Sequence, residues 1–421
     1  MRAPSCANAP SQVTSLLYYK EGGSASIFSV HRWQGFDDGG NKLRKLALNQ
    51  WTNGLPSTKI DSMMTRKERE TTDTTGKPKR KKRRGLRIAL ILLVLLLVLY
   101  VALCNVLVSA CLVPSFMEKL DAFQSITEEE YSRQTASEEI TQAREASRAI
   151  VQAWFEEADK EKLHITSADG YDLVAMEFLA PPVSVTTGQP VSQEEAPVSH
   201  LWVICLHGYT GCKEEVYAFA CWYNMLGANV LVPDLRCQGE SEGDFIGMGW
   251  TDREDVRLWI DQILAQDPQA QIVLHGQSMG AACALLVSGM EDLPDNVKCV
   301  ISDCSYTGAY EMFEYKIHDW FGLPAFPLVD SANWFLQLRG GYDLRDASPL
   351  EAVQHSRVPT LFIHGDADGT IPVSMAQELY DAAACEKQLL IVPGAGHAQS
   401  QDVDPETYYL TVFDWVNNHL S

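Results

Sequence analysis

The sequence has no pair of cysteines with C-x-x-C spacing and histidine partners, although it contains 11 cysteines in 421 residues. Structural zinc sites are commonly built from such pairs, so a zinc site is not expected and we predict no bound metal. Cys205, Cys283 and Cys299 fall in predicted core elements, where a thiol acts as a small apolar group. We predict no obligatory disulfide. Cys212 and Cys237 lie in predicted loops and are the thiols for which pairing or reactivity is considered.

Positive charge is scarce in the carboxy-terminal part of the chain. Residues 118–421 carry 16 Lys and Arg against 48 Asp and Glu, whereas residues 1–117 carry 18 basic and 7 acidic side chains. An acidic domain repels nucleic acid and anionic lipid surfaces. We therefore expect no nucleic-acid partner, and strongly anionic substrates are disfavoured unless the pocket is locally basic.

Charge is absent altogether from residues 88–113, a run of 26 mostly apolar residues interrupted by Asn105 and Ser109. About 20 apolar residues suffice to cross a hydrocarbon core, and the apolar core of a signal peptide is shorter. The run predicts one transmembrane helix, the alternative being a buried core helix.

A cluster of Lys and Arg at residues 77–87 immediately precedes this run. Positive charge beside a span stays on the cytoplasmic side, and this position favours a membrane role over a nuclear-targeting one. We predict a single-pass protein of the cell membrane, with residues 1–87 as a disordered, basic, cytoplasmic tail. Residues 114–160 are predicted to form a helical stalk, or a helix packed on the domain that follows outside the cytoplasm.

Residues 161–421 alternate between apolar strand-like and helical segments, which predicts a parallel sheet wrapped by helices. Residues 163–178 are predicted to add an antiparallel hairpin that turns at Asp169 and Gly170. An aromatic-rich insertion at about 304–350 predicts a small helical cap, the alternative being a helical excursion that packs on the sheet. The other strands are predicted near 201–206, 229–233, 271–275, 297–302, 359–363 and 388–392.

A G-x-S-x-G motif stands at residues 276–280, between an apolar strand-like run and a helix-like run of small residues. A serine framed by glycines at a strand-to-helix junction is typical of a nucleophile elbow, in which the sharp turn presents the hydroxyl to a substrate. The motif predicts Ser278 as a nucleophile.

A serine hydroxyl needs a base and an acid that orients the base, and in this architecture they follow in the order Ser, Asp, His. One predicted strand leads into a loop with Asp366 and Asp368, and a later strand leads into His397. Open parallel sheets place reactive groups at such strand ends. The alternative for Asp366 is a turn residue that satisfies nearby backbone groups.

These motifs, in this order, resemble the α/β-hydrolase superfamily, and within it the serine esterase and serine aminopeptidase-like branch. The resemblance covers about residues 160–420. The acid loop of that branch, H-G-x-x-D-x-x-V/I-P, places the acid on Asp368, and its G-x-G-H loop places the base on His397. The resemblance implies the α/β-hydrolase fold, here preceded by one transmembrane helix. His275 and His364 are expected to be structural.

An oxyanion needs fixed N–H donors, of which the residue after the nucleophile supplies one, here Met279. The H-G-x loop of the family resembles residues 207–209 and places the second donor on Tyr209, the alternative being an ordinary βα turn. Cys237 and Gln238 depart from the family pattern, which has Gly and His there.

The sequence thus predicts a membrane-anchored serine hydrolase that cleaves carboxylic esters of small molecules through an acyl-enzyme, without a cofactor. A peptidase or amidase with the same Ser278, His397 and Asp368 stays open as an alternative. So does a non-catalytic binding protein on the same fold.

Overall fold

The computed structural model describes residues 19–21, 24–26, 79–117, 138–181 and 199–420. The chain divides into two compact units, Met1–Gly76 and Lys77–Ser421. In the first unit, strands β1 (Tyr19–Glu21) and β2 (Ser24–Ser26) pair antiparallel. Most of the predicted cytoplasmic tail and residues 118–137 of the predicted stalk lie outside the described residues.

The second unit contains one large sheet and the helices around it. Its strands are β3 (Lys160–Thr166), β4 (Asp172–Phe178), β5 (Leu201–Leu206), β6 (Asn229–Pro233), β7 (Gln271–Gln277), β8 (Val297–Asp303), β9 (Thr360–Gly365) and β10 (Lys387–Val392). Its α-helices are α1 (Lys79–Leu112), α2 (Pro114–Met117), α3 (Glu138–Glu157), α4 (Tyr217–Met225), α5 (Asp252–Gln266), α6 (Met279–Ser288), α7 (Ala309–Phe321), α8 (Leu328–Gly340), α9 (Pro349–His355), α10 (Val373–Ala382), α11 (Ser400–Val403) and α12 (Pro405–His419).

The eight strands of the second unit form one sheet in the order β10-β9-β8-β7-β5-β6-β4-β3. The pairs β3–β4 and β4–β6 are antiparallel, and every other neighbouring pair of this sheet, including β5–β6, is parallel. The parallel strands β6 and β9 are buried throughout, as expected where helices cover both faces. The predicted mostly parallel α/β-hydrolase fold is confirmed, and so is the hairpin, whose turn includes Gly170 at a φ of 91° that favours glycine.

Helix α1 is long and apolar over Arg84–Leu112, and by length and composition it could cross a membrane. Its two halves differ in their surroundings. The apolar side chains between residues 86 and 99 are more than half exposed, whereas Cys104, Val108 and Leu112 are buried. The second half therefore packs along one face against the domain that contains the large sheet.

Helix α3 packs on one face of the sheet through aromatic rings. The Trp154 ring lies 4.5 Å from that of Phe178, and the Phe155 ring stacks on Tyr217 at 5.3 Å between centroids. The Trp154 indole N–H also donates a 2.9 Å hydrogen bond to Asn224. The helical spacing of these apolar residues in the sequence thus matches a face that packs on the domain.

The segment predicted as a cap contains α7 and α8, joined by a short loop. It leaves several large apolar side chains exposed, among them Phe321, Phe326, Trp334 and Leu338. Large apolar side chains exposed together on one segment are typical of an interaction site.

Candidate active site

Ser278 lies at the sharp turn between β7 and α6, with a φ of 56° and a ψ of −119°. A non-glycine residue at positive φ is strained and is held there by its surroundings. The flanking glycines make the turn possible. A Cβ on Gly276 would lie 2.1 Å from the carbonyl oxygen of Gly280, and one on Gly280 would lie 2.2 Å from that of Leu206. The G-x-S-x-G motif thus folds as an elbow that presents Ser278.

The predicted base and acid converge on this serine. The Nε2 atom of His397 is 2.9 Å from Ser278 Oγ, and its Nδ1 atom is 2.8 Å from Asp368 Oδ2. His397 follows β10 and Asp368 follows β9, so both side chains stand at the carboxyl edge of the sheet, as the strand ends predicted. A hydroxyl, an imidazole and a carboxylate in this chain of hydrogen bonds can transfer a proton away from the serine.

Asp368 is completely buried and strongly hydrogen-bonded. Its Oδ1 atom accepts from the main-chain N–H groups of Thr370 and Ile371, each at 2.8 Å. Burial alone would raise the pKa of Asp368, but the imidazoles of His397 and His364 outweigh it and hold that pKa well below its ordinary value. The carboxyl group therefore stays ionised, as the orienting partner of His397 must.

His364 is a contact of the acid that the sequence reading placed only as a structural residue. Its Nε2 atom lies 3.3 Å from Asp368 Oδ2 and 3.0 Å from the carbonyl oxygen of Ile371. Burial lowers the pKa of His364, but Asp368 more than offsets this and raises it overall. The sequence offered one indication of this contact, because His364 precedes Asp368 by four residues in the H-G-x-x-D loop.

The other histidine near the elbow, His275, is fully buried in β7 between two tyrosines. Its ring nitrogens lie 3.0 Å from the hydroxyl of Tyr223 and 3.1 Å from that of Tyr408. Burial lowers the pKa of His275 to about 3. It is neutral and has no contact with Ser278, which fits the structural role expected for it.

The loop after β5 lies against the nucleophile. A Cβ on Gly208 would be 3.5 Å from the Cβ of Ser278, so the main chain of this loop passes directly beside the serine. Among the described residues, neither Tyr209 nor Met279 has an acceptor for its main-chain N–H. Two free N–H groups on either side of a nucleophile can donate to an oxyanion.

The loop after β5 is fixed by an ion pair that the sequence did not indicate. The Lys213 ammonium is 2.6 Å from Asp234, and both side chains are almost completely buried. Asp234 also accepts from the main-chain N–H of Lys213 at 2.7 Å and of Glu240 at 2.9 Å. The pair therefore joins the loops that follow β5 and β6.

The departures from the family pattern lie in this second loop. Gln238 is buried, and its amide atoms have no hydrogen-bond partner among the described residues. Cys237 adopts a φ of 63°. Burial raises the pKa of both Cys212 and Cys237 to about 11, so neither thiol is activated as a nucleophile.

Potential metal ligands meet within the described residues at Cys304, Asp368 and His397, whose donor atoms lie within 4.8 Å of one another. Asp368 and His397 are already hydrogen-bonded to each other, and burial raises the pKa of the Cys304 thiol well above its ordinary value. A protonated thiol is a poor metal ligand. The group suits proton transfer better than metal binding.

A mostly parallel sheet with a serine at an elbow and an acid and an imidazole at the same edge defines the α/β-hydrolase class. A model of the alpha/beta hydrolase family matches residues 203–408. An uncharacterised Bacillus subtilis protein, YqkD, is 31% identical over 265 residues, which cover 63% of this chain and 81% of that relative. The chain belongs to the alpha/beta hydrolase family.

Two further comparisons involve proteins with described activities. Lysophosphatidylserine lipase ABHD12 of Danio rerio is 30% identical over 196 residues, which cover 45% of this chain and 49% of the lipase. The chain thus spans about half the length of that relative. The solved esterase Pf2001 of Pyrococcus furiosus is 19% identical at a TM-score of 0.48, covering 63% of this chain and 94% of the esterase.

Proposed function

We propose that this protein is a membrane-anchored serine hydrolase that cleaves carboxylic esters. The observation that carries the proposal is the continuous hydrogen-bonded path from Ser278 Oγ through His397 to Asp368, with distances of 2.9 and 2.8 Å. Membership of a hydrolase family supports the same reaction type.

In the proposed reaction, Ser278 Oγ attacks the ester carbonyl while His397 Nε2 takes the hydroxyl proton. The main-chain N–H groups of Tyr209 and Met279 donate to the oxygen that becomes negative. The tetrahedral intermediate collapses, the C–O bond to the alcohol breaks, and His397 returns the proton to the leaving alkoxide. Water then attacks the acyl-enzyme with His397 again as base, which releases the acid and restores the serine.

We propose that the acid portion of the ester is an apolar acyl group. A cavity lined only by apolar side chains lies between α1 and the cap helices, including Val108, Cys111, Phe313 and Leu336. The Tyr209 hydroxyl contacts the Cys111 carbonyl oxygen at one side of this cavity, which connects it to the proposed oxyanion loop. The Danio rerio relative is a lysophosphatidylserine lipase, which agrees with an acyl ester as substrate.

The anchor in this proposal is helix α1, placed with its basic end toward the cytoplasm. Lys and Arg residues precede the apolar segment and none follows it within the helix, and such asymmetry sets orientation. The catalytic domain then lies on the opposite, extracytoplasmic side of the cell membrane.

The first test is Ser278→Ala in the full chain. We expect loss of p-nitrophenyl acetate turnover by at least about a thousandfold, because the nucleophile is removed while the elbow backbone is kept. Circular dichroism and thermal melting check that the variant folds. Unchanged turnover in a folded Ser278→Ala protein would end the proposal.

A fluorophosphonate probe separates catalysis from the non-catalytic alternative. We expect the probe to label Ser278 in the wild-type chain, since it reacts with activated serines. Failure to label folded protein would favour a binding protein. Short-chain esters assayed beside aminoacyl amides then decide between ester and amide cleavage, and faster amide turnover would replace the ester proposal with a peptidase.

A further inference from the structure

The packed half of α1 contacts the cap at two levels along its axis. The Tyr100 hydroxyl lies 3.0 Å from both the Pro327 carbonyl oxygen and the Ser331 hydroxyl, at the start of α8. Further along, the Arg339 guanidinium donates to the Asn105 carbonyl oxygen at 3.1 Å and to the Ser109 hydroxyl at 3.0 Å. The cap therefore lies alongside α1 and extends back toward its exposed apolar half.

The polar residues of α1 indicate where the hydrocarbon region ends. From Arg87 to Asn105 the helix rises about 27 Å at 1.5 Å per residue, which nearly equals the roughly 30 Å thickness of a bilayer core. Arg339, bound to Asn105, then lies at the boundary that faces the catalytic domain. Tyr100 is five residues nearer the bilayer centre, about 8 Å below that boundary.

The cap segment that contacts Tyr100 has a mostly apolar sequence. Residues 320–338 contain a single charged side chain, Asp330, in a domain that otherwise carries many acidic residues. Asp330 is paired with Arg345 at 2.6 Å. Phe326, next to Pro327, is 74% exposed.

We infer that the cap is immersed in the bilayer leaflet on the catalytic domain's side, and that an acyl substrate enters the apolar cavity between α1 and the cap from that leaflet. The occupant of the exposed cap surface is thus the lipid bilayer, continuous with the lipid around residues 86–99 of α1. Immersion of about 8 Å is the depth at which interfacial amphipathic helices lie. This inference rests on the proposed anchor and deepens the proposed ester hydrolysis by naming the source of the substrate.

Photo-cross-linking locates the cap relative to the bilayer. The full chain is reconstituted into phosphatidylcholine vesicles that include a phosphatidylcholine with a diazirine in its acyl chain, irradiated, and mapped by peptide mass spectrometry. We expect label on residues 88–99 of α1 and on residues 320–338 of the cap. Leu410 is 50% exposed on α12, whose buried residues belong to a different core cluster from those of α1 and α8, so it serves as an apolar control site and should stay unlabelled.

The outcomes of this mapping are distinct. Label on α1 that spares residues 320–338 overturns the immersion of the cap while leaving the anchor in place. Absence of label from both segments overturns the anchor and the inference together. Neither result depends on enzymatic turnover, so failure of the proposed reaction is detected separately by the Ser278→Ala assay.

Substitution of an immersed residue tests the consequence for substrate supply. In reconstituted full-length protein, Phe326→Glu should slow hydrolysis of a long-chain monoacyl ester in the vesicles by roughly tenfold, because a carboxylate is costly within the leaflet. Turnover of water-soluble p-nitrophenyl acetate should change by less than about twofold. The matched control Leu410→Glu should leave both rates unchanged. Equal rates for wild type and Phe326→Glu on the vesicle substrate would contradict the inference.

Discussion

The loop after β9 contains two aspartates with different partners. Asp368 contacts two imidazoles and two main-chain N–H groups, whereas Asp366 accepts a 2.6 Å hydrogen bond from the main-chain N–H of Gly394. Asp366 thus joins the acid loop to the loop that carries His397. Asp366 therefore serves loop geometry, whereas Asp368 is the carboxylate that contacts the His397 imidazole.

A pair of substitutions tests this division of roles. Asp368→Asn should reduce kcat by roughly 10³- to 10⁴-fold, because an amide favours the wrong tautomer of His397 and cannot stabilise the imidazolium. Asp366→Asn keeps an oxygen acceptor for Gly394 and should cost less than about tenfold. Ester hydrolysis under single-turnover conditions measures both. A larger loss of kcat in Asp366→Asn than in Asp368→Asn would mean that Asp366, and not Asp368, is the acid.

Asp303, at the end of β8, is a buried carboxyl that costs stability when ionised. Burial raises the pKa of Asp303 to about 6, although the Tyr408 hydroxyl donates to it at 3.0 Å. Between its unfolded pKa near 4 and its folded value, the folded chain binds more protons than the unfolded chain. Stability from this residue is therefore lost as the pH rises through that window, by roughly 3 kcal/mol in full.

Asp303→Asn should therefore raise the melting temperature at pH 8, since the amide is neutral and still offers an oxygen to Tyr408. At pH 5 the gain should be about half as large, because part of the penalty is not yet present. Thermal melts of both proteins at the two pH values provide the comparison. A gain that is the same at both would show that ionisation is not its cause.

At the scale of elements, the strands of the sheet could be predicted because each parallel strand is a short apolar run followed by a loop. The elbow could be predicted as well, because its two glycines are visible in the sequence and the turn requires them. A Cβ at Gly276 or Gly280 would lie 2.1 or 2.2 Å from a main-chain oxygen. The ion pair of Lys213 with Asp234 could not be predicted. Its partners lie 21 residues apart in loops whose approach is fixed only by the completed sheet.

Gly280 gives an element-scale prediction. A Cβ there would overlap main-chain atoms of Leu206 and His207, which cannot move without displacing β5 from α6. Gly280→Ala should lower the free energy of unfolding by at least about 1–3 kcal/mol, the usual cost of overpacking. Denaturant unfolding of the purified full chain in detergent measures this loss.

The matched control for that substitution is Gly208→Ala. The nearest side-chain or main-chain atom to a Cβ at Gly208 is 3.5 Å away, which is an ordinary contact distance. Its stability should stay within about 0.5 kcal/mol of wild type. Equal losses in the two variants would mean that alanine, rather than the close approach of α6 to β5, causes the destabilisation.

For the whole molecule, the apolar helix and the catalytic domain share one core. Val108, Leu112 and Met117 belong to the same buried cluster as residues of β5 and α6, and the Leu112 carbonyl oxygen accepts from Ile246 N–H at 2.9 Å. The sequence could not reveal this packing, because a run that is apolar on every face hides which face contacts protein. In the structure, Cys104, Val108 and Leu112, spaced four residues apart, form the buried face of α1. The neighbouring Asn105 and Ser109 contact Arg339 of the cap.

Shared packing makes the position of a truncation decisive. A chain that begins at residue 96 keeps the buried face of α1 and the Tyr100 contacts, and should melt within a few degrees of the full chain. A chain that begins at residue 114 removes Val108 and Leu112 from the core and leaves Arg339 without its acceptors on α1. Loss of two large buried side chains costs about 4–8 kcal/mol, which approaches the whole stability of a typical domain. We expect this shorter chain to aggregate or to melt at least 10–20 °C lower.

Light scattering and thermal melts in detergent measure the difference between the two truncated chains. Equal stability of the two would mean that α1 contributes nothing to the core of the domain.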